Sequence, residues 1–406
     1  MTSKFKEVKT CEVCNAQTLR PVLDLGMHPL CDDLVPINEQ RLCEEYPIEI
    51  LYCSACQTAH QRFQIDKEFL FPATYHYRSG NTADVLEGMK QFVQTCEKSL
   101  SGIKSTKVLD IGCNDGSLLN FFKSHGATTF GIEPTDAYLD AEAAGHVVLK
   151  GYLTEGLARE FVAHHGCVDL VTFTNVFAHI DDLNGVIRSI NILRHQGTAV
   201  AIENHYLGAI LRRNQFDTFY HEHPRTYSYG SFLKIAETLG MVIHSVEFPS
   251  RYGGNIRVLL TPKIKTDGVD IPSASEIMEE ELGFDDHFKE LADAINVWRR
   301  EKKQEILAAV KLYGPLLAKG FPGRAAIPIR MLGLDHNIIK AAYEKPTSQK
   351  IGHWIPGTRI PIVSDSSLLK DLTEGAPILN LAWHIEDEIK NYMEKKGFSG
   401  SYINII

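Results

Sequence analysis

Residues 107–119 read KVLDIGCNDGSLL, and this stretch constrains the fold more than any other in the chain. Val108, Leu109 and Ile111 predict a short buried strand, Gly112 and Gly116 flank a tight turn, and an apolar helix follows over Leu118–Phe122. Strand, glycine turn and helix in that order open a doubly wound α/β domain, whose ligand sits at the carboxyl end of the strand. The spacing is not G-x-G-x-x-G, because Cys113-Asn114-Asp115 separates the glycines, and no Lys-Ser/Thr pair follows. A dinucleotide or triphosphate site is therefore the weaker reading. A second strand, Thr128–Ile132, ends in Glu133, a carboxylate placed to accept hydrogen bonds from both ribose hydroxyls of an adenosine. A third strand candidate, Asp169–Thr174, runs into Asn175-Val176-Phe177-Ala178-His179.

At 406 residues the chain is too long for one hydrophobic core. Its composition, 44% hydrophobic and 23% charged, is that of a soluble globular protein. No apolar run is long enough to cross a bilayer, and the start, MTSKFKEVKT, lacks the apolar core of a signal peptide, so the expectation is cytoplasmic with no membrane partner. A net charge of −9 argues against nucleic acid as a partner, since phosphate binding needs a basic footprint. It still permits a local basic pocket for one phosphorylated metabolite.

Nine cysteines in such a chain point to thiolate or metal chemistry rather than disulfides. Cys11-Glu-Val-Cys14 and Cys53-Ser-Ala-Cys56 form two knuckles that together supply the four soft ligands of a tetrahedral zinc site. A redox dithiol would need a pair that follows a strand and opens a helix, and neither pair sits so. No open coordination position is implied, so the metal is expected to be structural. Cys31 and Cys43 are spare by spacing and read as idle thiols.

Residues 219–229, FYHEHPRTYSY, concentrate proton-handling groups: Tyr220, His221, Glu222 and His223 are consecutive. Two histidines and a carboxylate can supply a base, its orienter and an acid within one loop. Taken alone, the run reads as a polar turn ending at Pro224. Its position changes that reading, because it follows a fourth apolar strand, Thr198–Glu203, and leaves the sheet on its ligand edge. Ile202-Glu203-Asn204-His205 adds polar groups at that strand's end. If the loop is extended, His221 and His223 share a face and Glu222 points away.

VLDIGCNDG, Glu133 and DLVTFTNVFAHI resemble successive motifs of class I S-adenosylmethionine-dependent methyltransferases. By that resemblance Asp110, Gly112, Asn114, Gly116, Glu133 and Asn175 bind S-adenosylmethionine. The chain as a whole is similar to the sugar C-methyltransferases of deoxysugar biosynthesis. They act on nucleotide-diphosphate-linked 4-keto-deoxyhexoses and share the paired CxxC segment, the methyltransferase core, the Tyr-His-Glu-His loop and a C-terminal α/β domain. The resemblance implies an α/β protein in three parts. These are a zinc-binding domain over 1–70, a Rossmann-like methyltransferase domain over 71–262, and a helical connector with a Rossmann-like α/β domain over 263–406. The connector itself, Ser273–Val310, has apolar residues at helical spacing. One departure stands out: where the family's C-terminal loop runs close to Gly-Ala-Pro-Ala-Lys-Gly-Asn, this chain has Gly320-Phe321-Pro322-Gly323-Arg324-Ala325-Ala326.

Methylation at carbon needs a base, a donor to the developing oxyanion, and a methyl sulfonium held in line. The roles expected are His223 as base, Glu222 as its orienter, Tyr220 as donor to the keto oxygen or holder of the sugar, and His179 as a second polar contact. His221 is the alternative base or a substrate contact. Tyr75 or Tyr77 would line the cleft, Asn255 and Arg257 would meet sugar or diphosphate, and Arg324 would replace the family's lysine at a phosphate. Gly253-Gly254, before Asn255, reads equally as a hairpin turn. Trp354, Pro356 and Thr358 read either as a wall against a base or as a turn. The expected partner is a small-molecule nucleotide sugar, and the chain is expected to be a monomer or small homo-oligomer. Two other readings stay open: an O- or N-methyltransferase on a small metabolite, and a zinc-ribbon binding module with a degenerate methyltransferase domain.

Overall fold

A computed structural model describes residues 5–71, 77–262 and 274–406. Tyr75 and Ser273 lie outside the described residues. The chain forms two compact units and passes between them several times. The first holds Met1–Pro21, Leu51–Arg213 and Glu222–Asp285; the second holds Val22–Ile50, Asn214–His221 and Asp286–Ile406. Among the described residues no helix is long and apolar enough to cross a membrane.

The first unit is built on a seven-stranded sheet: β1 (Lys107–Ile111), β2 (Thr128–Glu133), β3 (Val147–Lys150), β4 (Val168–Thr174), β5 (Arg194–His205), β6 (Met241–Glu247) and β7 (Asn255–Pro262). Their spatial order is β6-β7-β5-β4-β1-β2-β3. Strands β1 to β5 pair in parallel, whereas β7 runs antiparallel to both β5 and β6. Val108, Leu109, Leu170, Val171 and Phe173 are fully buried. Such continuous apolar runs are the mark of parallel strands covered on both faces. Helices Ala83–Ser99 and Ser117–Ser124 cover one face with Phe92, Val93, Leu118 and Phe122. Strand order reverses between β1 and β4, which opens a crevice at their carboxyl ends. Near the amino end, Phe5–Glu7 pairs with Phe63–Ile65, and Thr58–Gln61 pairs with Arg225–Thr226.

The second unit carries a five-stranded parallel sheet: β8 (Leu316–Lys319), β9 (Ile339–Glu344), β10 (Ile362–Ser364), β11 (Ile378–Asn380) and β12 (Tyr402–Asn404). Its order is β10-β9-β8-β11-β12, so its own reversal falls between β8 and β11. The expected helical connector forms two helices, Ala274–Leu282 and Phe284–Tyr313. The Pro356-Gly357 segment is a tight turn, closed by Thr358 N donating to the Ile355 carbonyl at 3.0 Å.

Candidate active site

The four cysteines of the two knuckles converge, with all their sulfurs within 4.8 Å of one another. Cys11 Sγ lies 3.5 Å from Cys56 Sγ, and Cys14 Sγ lies 3.6 Å from Cys53 Sγ. A tetrahedral zinc with Zn–S bonds of about 2.3 Å sets its sulfurs about 3.8 Å apart, so this donor set fits the ion. Each knuckle turns through a left-handed residue after its second cysteine, Asn15 and Gln57. Cys43 lies in the second unit and donates to the Asp33 carbonyl at 3.3 Å. The knuckles also reach the histidine loop. Glu12, between the first two cysteines, ion-pairs with the buried Arg225 guanidinium. Burial works against ionisation, yet Arg225, Lys6 and Gln64 draw the Glu12 carboxyl down to about 2. Arg225 donates further to the Ile180 carbonyl and, through Nε, to Tyr227 Oη at 3.0 Å. Gln61 N donates to the Pro224 carbonyl at 2.9 Å, so the residue after His223 is pinned to the metal-binding segment.

The glycine loop follows β1. Gly112 has φ +69°, and a Cβ there would fall 2.7 Å from Val176 Cγ2, so the turn admits no side chain. Asn114, also left-handed, donates its backbone N–H to Glu133 Oε2 at 3.0 Å. Glu133 Oε1 accepts from Thr135 N at 2.8 Å and from Thr135 Oγ1 at 2.6 Å. Segment Tyr77–Gly80 is fastened over the loop. Ser79 N donates to Asn114 Oδ1 at 3.0 Å, Asn114 Nδ2 to the Tyr77 carbonyl at 3.1 Å, and Gly80 N to Asp115 Oδ2 at 2.7 Å. The Tyr77 side chain is exposed. Asp110 is buried and accepts from Thr172 Oγ1 at 2.7 Å. Burial pushes its carboxyl up to about 7, helped by the nearby Glu133 charge and opposed by the Thr172 hydroxyl. Among the described residues neither Asp110 nor Glu133 pairs with a lysine or arginine. Two buried carboxylates without internal cations, beside a side-chain-free turn, fit a ligand bearing an ammonium group and ribose hydroxyls.

The run at 220–223 is not extended. His221 and Glu222 form a turn, which removes the premise that alternate side chains share a face. His221, in the second unit, sits against Tyr46, with Nε2 donating to the Tyr46 carbonyl at 3.1 Å; burial pushes it down to about 4. Tyr220 belongs to that unit as well. His223, in the first unit, has neighbours of its own: its ring centroid lies 4.8 Å from that of His179 and 5.1 Å from that of His205. His179 Nδ1 donates to the Glu222 carbonyl at 2.7 Å, and burial pushes His179 down to about 4. His205 was legible only as part of a polar strand end. What gives it meaning is pairing between distant strands, where it stands opposite Asn255.

The other candidates divide between the two units. In the first, Glu203 is fully buried and gathers three partners. Arg257 Nε donates to it at 2.7 Å, Arg251 Nη1 at 3.2 Å and Asn255 Nδ2 at 2.9 Å. Arg257 also meets Glu247 at 2.9 Å and Thr95 at 2.8 Å, while Asn255 Nδ2 reaches Asn175 Oδ1 at 3.3 Å. Asn175 N in turn donates to the Glu203 carbonyl at 2.8 Å. Arg257 and Asn255 are thus brought together with Glu203. In the second unit Arg324 ion-pairs with Asp217 at 3.2 Å and lies 5.4 Å from the centre of the Trp383 ring. Trp383 Nε1 donates to Asp217 Oδ2 at 3.0 Å, and Arg324 Nη2 is buried with no partner among the described residues.

Three family models match along the chain in order. A zinc binding domain covers residues 11–71, a methyltransferase domain residues 80–246, and a C-methyltransferase C-terminal domain residues 250–405. The C-methyltransferase NovU of Streptomyces niveus is 26% identical over 407 residues, spanning 98% of this chain and 96% of that protein. Among solved structures, the magnesium protoporphyrin IX methyltransferase of Synechocystis PCC 6803 with bound SAH is 15% identical. It covers 44% of this chain and 86% of its own, with a TM-score of 0.36. An S-adenosylmethionine-dependent methyltransferase from Clostridium acetobutylicum is 11% identical, covering 44% of this chain and 92% of its own at a TM-score of 0.35. The family matches fall in turn on the thiolate knuckles, the glycine loop and the second sheet, and together with the full-length similarity to NovU they mark the chain as an S-adenosylmethionine-dependent C-methyltransferase.

Proposed function

We propose that the protein methylates a ring carbon, C-3, of a nucleotide-diphosphate-linked 4-keto-deoxysugar through a base-generated enolate. The observation that carries this reading is the placement of His223, buried beside His179 on the loop that follows the methyltransferase core. S-adenosylmethionine, when bound at Asp110, Gly112, Asn114, Gly116, Glu133 and Asn175, supplies an electrophilic methyl group. His223 removes the proton alpha to the keto group. Because His179 is held neutral by burial, a proton arriving on His223 meets no like charge there. The Glu222 backbone carbonyl holds the Nδ1–H of His179, which fixes that ring beside the base. Tyr220 donates to the keto oxygen, and His221 and Tyr77 serve as substrate contacts; Tyr75 keeps that role from the sequence. Arg324, through the Nη2 that has no partner among the described residues, takes a substrate phosphate oxygen. Asn255 and Arg257 act on the site through Glu203.

General-base removal typically costs about 10²- to 10⁴-fold in rate. His223→Ala is therefore expected to lose methyl transfer by at least that factor while binding S-adenosylmethionine as wild type does. Turnover near the wild-type rate in that variant sinks the assignment. A product methylated on oxygen, read by NMR, would sink carbon transfer altogether.

A further inference from the structure

Each turnover of such a reaction leaves one proton on the base, and His223 is buried. The C–H bond breaks, its electron pair passes through the enolate into the new C–C bond, and the sulfonium becomes a neutral thioether. The proton must therefore leave His223 before the next cycle. His179 is a poor recipient, since its Nδ1–H is committed to the Glu222 carbonyl and burial keeps the ring neutral. Among the described residues a second ring beside His223 is His205, at the end of β5 and only half-buried.

The hydrogen bonds around His205 fix its tautomer. Asn255 Nδ2 donates to the Glu203 carboxylate at 2.9 Å, so Oδ1 of the same amide is the acceptor facing His205 Nδ1 at 3.2 Å. His205 Nδ1 thus bears hydrogen, and in the neutral ring the lone pair is on Nε2. Glu203 is held in turn by Arg251 and Arg257. Among the described residues, charged and titratable groups reach the ring from several elements. They are His223 from the loop with His179 behind it, Tyr252 at 5.5 Å with Arg251 beside it, and Glu203 through Asn255 on β7. The two arginines are offset by Glu203, Glu247 and, at 3.9 Å, Asp84.

We propose that His205, oriented by the Glu203–Asn255 pair, relays the proton from His223 to solvent and so restores the base. It is a positioning and relay residue that acts through His223, and the inference rests on His223 being the base of the reaction proposed above.

The test uses the full zinc-loaded chain with S-adenosylmethionine and 4-keto-6-deoxyhexoses linked to thymidine, uridine, guanosine or cytidine diphosphate. In His205→Asn the amide nitrogen can replace Nδ1 as donor, but nothing replaces Nε2. Its kcat is expected to fall roughly 10- to 100-fold with KM for the sugar changed less than about twofold. Added imidazole should restore part of that rate and leave wild type unaffected. His205→Gln is the second variant, and whichever of the two binds S-adenosylmethionine as wild type does decides the matter. If neither binds it, His205 is structural and the relay falls. The relay also falls if the variant keeps the wild-type kcat, or if its loss is not relieved by imidazole. If His223→Ala stays active, or no sugar is methylated, the parent reading fails instead. An inactive His223→Ala beside a fully active His205 variant removes the relay alone.

Discussion

The two parallel sheets share one topology and use it in opposite ways. In each, the first strand lies in the middle and strand order reverses beside it: β3-β2-β1-β4-β5 in one, β10-β9-β8-β11-β12 in the other. That reversal leaves a crevice at the strands' carboxyl ends. At the first crevice stand Asp110 and Glu133, buried carboxylates with no lysine or arginine paired to them among the described residues. At the carboxyl end of β8 stands Lys319, buried and ion-paired with Asp365 at 2.8 Å. Asp365 also accepts from Tyr392 Oη at 2.8 Å and pairs with Lys396 at 2.5 Å, and the loop beyond contributes the Arg324–Asp217 pair. Topology supplies the crevice, and side-chain charge decides its use. The first is left for a ligand to complete, whereas the second has largely neutralised itself.

The largest test of that contrast is removal of zinc. All four thiolates belong to the first unit, and Glu12 and Gln61 tie their segment to Arg225 and Pro224 beside His223. Structural zinc contributes on the order of 10 kcal/mol to the fold it closes. Chelation should therefore abolish methyl transfer, and restored zinc should return it. Full activity in metal-free protein, verified by elemental analysis, would break the link between knuckles and loop.

Next comes Lys319→Met. Removing one partner of a buried ion pair costs about 3–5 kcal/mol, because the remaining charge stays desolvated. Lys396 and Tyr392 still face Asp365, so the lower end is expected, read by thermal or denaturant unfolding. A variant as stable as wild type would show that the second crevice is not closed by this pair.

A pH-dependent effect should follow from Asp110, whose carboxyl is raised from 3.8 to about 7 by burial. The folded state then holds a proton that the unfolded chain has released. The stability this gives is complete below about pH 4 and is lost as pH rises towards 7, with a slope of at most about 1.4 kcal/mol per pH unit. Asp110→Asn should flatten that part of the stability profile. An unchanged slope would place the proton elsewhere.

The parts legible from sequence are those set by neighbours along the chain. A CxxC pair fixes its own knuckle, a glycine at φ +69° marks its own turn, and Glu133 announces itself by ending a strand. What sequence could not supply depends on register between distant strands. β5 pairs with β7 so that Glu203 faces Arg257 and His205 faces Asn255, roughly fifty residues apart in the chain. Periodicity marks a strand without naming its partner, so the ion pair of Arg257 with Glu203 is not readable from it. The loop at 220–223 shows the same limit in backbone form. Alternation holds only for extended chain, and the turn at His221–Glu222 gives the two histidines separate surroundings.

Glu133→Gln sets the finest test of the two crevices. Both carboxylate oxygens already accept from N–H or O–H groups, Oε2 from Asn114 N and Oε1 from Thr135. An amide replaces one acceptor with a donor, which must then face an N–H of the loop or the Thr135 hydroxyl. That variant should bind S-adenosylmethionine about tenfold more weakly, a loss of about 1.4 kcal/mol, because a ribose hydroxyl loses its charged acceptor. Its unfolding midpoint should fall by less than that of Lys319→Met, since one bond of the loop is lost rather than one partner of a buried ion pair. Lys319→Met should do the reverse, losing stability while its affinity for S-adenosylmethionine, read by calorimetry, stays at the wild-type value. If the two variants lose stability and affinity in the same proportion, charge at the first crevice is structural like that at the second. If they separate as expected, the same strand order has been put to two uses: one crevice organised around a ligand, the other around its own salt bridges.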